Sequence, residues 1–103
     1  MPVRNLGDIP GITGRAVWEV IASAATISPK TDRVRLTGNT NVVTINRPDR
    51  SFIGPLYIIN TDAAVANFTA AGNIAVAVTS VRYKLNVLMF DPSVSKWYPA
   101  NVA

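Results

Sequence analysis

The side chains able to do chemistry are few, and most of them sit in turns. The carboxylates are Asp8, Glu19, Asp32, Asp49, Asp62 and Asp91. A glycoside hydrolase needs two such groups facing each other across a bond, but no pair here is spaced to do so. Asp32 follows Thr31, Asp49 follows Pro48, Asp62 follows Thr61 and Asp91 precedes Pro92. An aspartate in such a place bonds its own backbone and makes a turn. The chain has no histidine and no cysteine. Imidazole bases, thiol nucleophiles, disulfides and the common zinc sites are therefore excluded. No GxxxxGK[ST] loop or GxGxxG motif is present to hold phosphate, and the pair of glycines in "GITG" (11–14) has no strand-to-helix context. The expectation is a protein that is not an enzyme, with no cofactor and no metal.

Two further sets could bind rather than react. The basic side chains Arg33, Arg35, Arg47, Arg50, Arg82 and Lys84 accompany Tyr57 and Tyr83. Basic strands with aromatics can bind single-stranded nucleic acid by stacking. Here the aromatics do not interleave with the basic residues on one strand, so nucleic acid ranks low among the partners. Near the end, "FDPSVSKWYPA" (90–100) brings Trp97 and Tyr98 together. On an extended strand, neighbours point to opposite faces. One ring then fills the core and the other meets a neighbour or solvent, which argues against a flat two-ring platform for a sugar.

These groups must be carried by one domain, because 103 residues make no more. Apolar residues are 49% of the chain and charged residues 16%, against roughly 25% charged in an average globular domain. So little charge suits a surface hidden against partners. The net charge of +4 favours an acidic partner. No apolar run reaches the roughly 18 residues of a membrane helix, and no membrane partner is expected. "AVWEVIASAA" (16–25) has some likeness to a signal peptide, but Glu19 interrupts it.

Residues 1–20 read as an extended N-terminal arm. Pro2, Gly7, Pro10, Gly11 and Gly14 break any helix, while Val3, Leu6, Ile9 and Ile12 recur every third residue. Residues 21–103 read as an all-β domain: an antiparallel β-sandwich or jelly-roll-like barrel of seven to eight short strands, with turn signals every 8–12 residues. "DRVRLTG" alternates arginine with aliphatic residues, and "TGNTN" (37–41) followed by "VVTIN" (42–46) predicts a hairpin. Further strands are expected at 56–60, 65–69, 74–78, 82–90 and 96–99. In "LNVLMF", Leu85, Val87 and Met89 face one way and Leu88 and Phe90 the other. A strand apolar on both faces needs cover on both sides, and in a chain this short a second subunit is the natural cover.

The series "TGNTNVVTI", "IGPLYIINT", "AAGNIAVAVTS" and "MFDPSVSKWYP" over about residues 36–99 resembles a β module of tailed-bacteriophage virion proteins, found in head-decoration (cement) proteins, head fibres and tail-fibre or spike tips. The resemblance implies a homotrimeric virion component without enzymatic activity. It implies a capsid decoration protein that binds the major capsid protein on the outside of the shell and stabilises it. The arm would grip the capsid or a neighbouring subunit. The residues expected at such contacts are Arg4, Leu6, Ile9, Ile12, Arg15, Trp18, Leu88, Phe90, Trp97 and Tyr98. The alternatives are a fibre or spike tip that binds a receptor or glycan, and a small basic barrel that binds single-stranded nucleic acid.

Overall fold

In the computed structural model the described residues are 18–100. They form seven strands and no helix: β1 (Glu19–Ala22), β2 (Thr26–Ile27), β3 (Arg33–Thr37), β4 (Thr44–Ile45), β5 (Leu56–Asn60), β6 (Leu85–Asp91) and β7 (Lys96–Pro99). The main sheet has the order β1-β3-β5-β6-β7, and β2 and β4 make a small second sheet. The all-β expectation holds. The sheet begins at Glu19, so the last two residues of the span read as arm belong to β1, and residues 1–17 lie outside the described residues.

The sandwich or barrel of antiparallel hairpins is replaced by a different winding. β1 pairs with β3 in parallel, β3 with β5 in parallel, and β2 with β4 in parallel. The chain thus passes from the main sheet to the small one and back, β1 to β2 to β3 to β4 to β5, laying each coil beside the last. Phe68 continues the series with a parallel bridge to Val42. Only the end is antiparallel, with β6 returning along β5 and β7 along β6. The sheets do not close into a barrel.

The expected hairpin of 33–46 is absent because both edges of β3 are occupied, by β1 and β5. The Gly-Asn turn after β3 carries the chain to the other sheet instead. Gly38 sits there at φ 78°, in the left-handed region that glycine enters without steric cost. Its amide donates to the Asp62 carboxylate, which ties this corner to the next coil. An alternating strand followed by Gly and Asn has the same local grammar whether the chain turns back or turns a corner, so periodicity alone does not separate them.

The inward side chains of both sheets meet in one core: Ile27, Val34, Leu36, Val42, Ile45, Leu56, Ile58, Phe68, Ile74, Leu88 and Trp97 are all at most 2% exposed. Fully burying each aliphatic side chain is worth about 1.5–3 kcal/mol. Segments 65–69 and 74–78, read as strands, make only isolated bridges at Phe68, Ile74 and Val78. Asparagine amides do the ladder's work there. Asn73 Oδ1 accepts from the Ile45 amide at 2.9 Å, and Asn73 Nδ2 donates to the Ile45 carbonyl at 2.7 Å, as a strand residue would. Asn60, 1% exposed, bonds both the amide and the carbonyl of Ala66. These bonds satisfy buried backbone groups that would otherwise cost about 1–3 kcal/mol each. At the turn before Asn73, Gly72 packs so closely on Thr44 and the Val43 carbonyl that a Cβ would collide with both.

Candidate interaction surface

The register of the main sheet assigns every strand residue to a face. Val34 lies opposite Ile58, Leu56 opposite Leu88 and Phe90 opposite Trp97, all turned inward. The other face carries two rows that cross the strands. One is Val20, Arg35, Ile59 and Leu85, and the second is Arg33, Tyr57 and Val87. Met89 and Tyr98 face each other on β6 and β7 beyond them. Val20 is 59% exposed, and Leu85, Met89 and Tyr98 are each a little over 40% exposed. Four apolar or aromatic side chains on this face, one on β1 and three on β6 and β7, therefore stand in solvent to either side of Arg33 and Arg35.

A shallow hollow of about 170 Å³ opens on this face, lined by Trp18, Arg33, Tyr57 and Leu85. Pockets for whole small ligands run to about 300–1,000 Å³, so this one suits a single side chain. The Arg33 guanidinium lies 5.7 Å from the centre of the Tyr57 ring. Asp32 approaches Arg33 Nε only to 3.8 Å, and that buried nitrogen has no hydrogen-bond partner among the described residues.

The other expected sites divide clearly. Arg4, Leu6, Ile9, Ile12 and Arg15 lie outside the described residues. Trp18 is half-buried on the outer face at the rim of the hollow. Leu88, Phe90 and Trp97, expected at an interface, belong to the core instead. The alternation within β6 was read correctly, but its polarity is reversed: Leu85 and Met89 are the outward residues. Arg33 and Arg35 hold the outer position on β3, and the register passes that polarity through Tyr57 and Ile59 to β6. Register is invisible in a single sequence, and so was this choice.

Trp97 is fully buried and Tyr98 exposed, so the two rings lie on opposite faces as expected and make no platform. Trp97 stacks edge-on against Phe90 at 5.1 Å, and its Nε1 donates to the Ile45 carbonyl at 3.0 Å. Arg47 covers the far side of Phe90, 4.4 Å from the ring centre. The basic residues do not gather on one face. Arg82 and Tyr83 sit in the turn before β6, with Tyr83 at φ 66°. Arg82 packs over the Tyr83 ring and donates to the Thr61 carbonyl at 3.0 Å.

The carboxylates act structurally. Glu19 Oε1 accepts from the amides of Lys30 and Thr31 at 2.8 and 3.1 Å, closing the loop between β2 and β3. The Ser51 hydroxyl and amide hold the Asp49 carboxyl below its ordinary range, and Ser93 does the same for Asp91 with help from the Tyr98 hydroxyl. Both pairs are Asp-x-Ser turns, and neither faces a second acid. Among the described residues, no group of three His, Cys, Asp or Glu side chains is placed to hold a metal ion. What the outer face offers is contact area. Comparison with known proteins found no matching family model, no similar curated protein and no similar solved structure.

Proposed function

We propose that this chain is a structural protein that works by association: a decoration protein that binds the outside of a virus shell as a homotrimer and stabilises it. The observation that carries the reading is the outer face of the main sheet. Parallel strand pairs occur almost only where both faces of a sheet are covered. β1, β3 and β5 are parallel, yet among the described residues nothing covers Val20, Leu85, Met89 or Tyr98. A monomeric soluble protein rarely leaves several large apolar side chains exposed on one sheet face without using them. The low charge content points the same way, as does the resemblance of residues 36–99 to phage virion modules. The fibre-tip reading depended on Trp97 and Tyr98 acting together, and their geometry gives it no support.

The test has two parts. Light scattering of the purified chain should return three times the 11.0 kDa of one copy. Shells carrying the chain should then withstand higher temperature or osmotic shock than shells lacking it. A monomer at micromolar concentration would refute the association, and equal shell survival would refute the stabilising role.

A further inference from the structure

The outer face has particular requirements for whatever covers it. Two copies meeting face to face about an axis near β3 would bring Arg33 and Arg35 of one against the same arginines of the other, and like charges opposed at a contact are destabilising. The occupant must therefore be apolar and free of clustered positive charge. It must fill a hollow of one-side-chain size beside Trp18. It must also bring hydrogen-bond acceptors to the exposed guanidinium groups of Arg33 and Arg35. An extended peptide backbone meets the last need well, because its carbonyls are not used up internally.

We propose that the occupant is the arm of a neighbouring copy, with Ile9 and Ile12 resting on Leu85, Met89 and the hollow. This rests on the association proposed above and names the element that makes it. Three features of the chain support it. In an extended, proline-containing segment, residues three apart are separated by about 9.3 Å, and two strand spacings in a sheet measure about 9.4–9.8 Å. The period of Leu6, Ile9 and Ile12 thus matches every second strand of the face. A fully extended arm of 17 residues reaches about 55 Å, while five strands measure only about 20 Å across. The arm has length enough to leave its own sheet and cross another. Finally, it joins β1 through Arg15, Ala16 and Val17. The described chain thus begins beside the hollow, where Trp18 forms the rim, and the nearest glycine that favours a sharp reversal is Gly14.

Cysteine trapping decides the matter, since the chain has none of its own. The full chain would carry Ile9→Cys or Ile12→Cys together with Leu85→Cys or Met89→Cys. The outer positions are exposed, so these changes leave the core untouched. Diamide oxidation removes one hydrogen from each of two thiols and forms a disulfide wherever the pair comes within bridging range, about 4.4–6.8 Å between Cα atoms. The expected result is a non-reducing ladder of dimer and trimer with at least one pair, several-fold stronger than with either single cysteine. A bridged single chain would show the arm folding onto its own face and overturn the proposal. Failure of all four pairs to bridge in a chain that scatters as an oligomer would also overturn it, while leaving the association intact. A chain that scatters as a monomer would defeat both.

Discussion

Replacing Trp97 gives the sharpest test of its place in the structure. It is fully buried, lies against Phe90 and Phe52, and donates to the Ile45 carbonyl. Truncating a buried Trp to Ala costs about 3–5 kcal/mol through lost transfer energy and the cavity left behind. A domain of this length has about 5–15 kcal/mol in total, so Trp97→Ala should remove at least about a fifth of it. Each kcal/mol moves the melting temperature of so small a domain by about 4–8 °C, which puts the fall at roughly 12–40 °C. Trp97→Phe should be much milder. It loses one hydrogen bond, worth about 1 kcal/mol net, but the Ile45 carbonyl keeps Asn73 Nδ2 at 2.7 Å and is not orphaned. With a small residual cavity, the loss should be about 1.5–2.5 kcal/mol. Urea unfolding followed by far-ultraviolet circular dichroism reads both variants, with equal slopes required for the comparison. A Trp97→Ala variant within about 1 kcal/mol of the parent would refute the core assignment. A Trp97→Phe variant as unstable as Trp97→Ala would refute the argument from the shared acceptor.

Asn73→Ala removes both bonds to Ile45 and should cost about 2–3 kcal/mol in the same urea experiment; a loss below about 0.5 kcal/mol would show that water replaces the amide. Gly72→Ala should lower the melting temperature markedly, because its new methyl would meet the Val43 carbonyl and Thr44, and an unchanged melt would contradict that packing. Asp49 and Asp91 titrate below their ordinary value of 3.8 in the folded chain, so their stabilising contribution is complete above that pH and is lost as the pH falls through the lower folded value. Asp91→Asn should therefore flatten part of the decline in urea midpoint between about pH 5 and pH 2, and a decline as steep as the parent's would count against the Ser93 turn. Leu85→Asp with Met89→Asp should convert the oligomer to monomer while circular dichroism stays unchanged, and a persistent oligomer would place the interface elsewhere.

Much of the fold was legible because it depends on local grammar. "RVRLT", "LYIIN" and "KWYP" are strands within the limits their alternation predicts. The return of β7 along β6 follows from Asp91-Pro92 and a short polar turn. What stayed hidden depends on which strands become neighbours. "TGNTN" suits a hairpin and a corner equally, and only the occupied edges of β3 decide between them. Asn73 reads as a turn residue and Asn60 as the end of a strand, yet the side chain of each replaces a strand's hydrogen bonds, to Ile45 and Ala66 respectively, a role that alternation does not reveal. The surface was half legible for the same reason. A doubly apolar "LNVLMF" foretold a face needing cover, but Arg33 and Arg35, two strands away, determine which face that is.

The winding has a consequence for how the chain can be altered. Fifteen residues carry it from Glu19 to its partner Val34 in the next coil, but twenty-four are needed from Arg33 to Tyr57. The strands stay in register although one circuit is longer by nine residues; three of these fall between β3 and β4, and six in the segment 46–55 between β4 and β5. Doubling the length of a flexible loop costs only about 0.6 kcal/mol in closure entropy. That segment is therefore a natural insertion point, where a foreign peptide could be displayed without disturbing the stacked strands on either side.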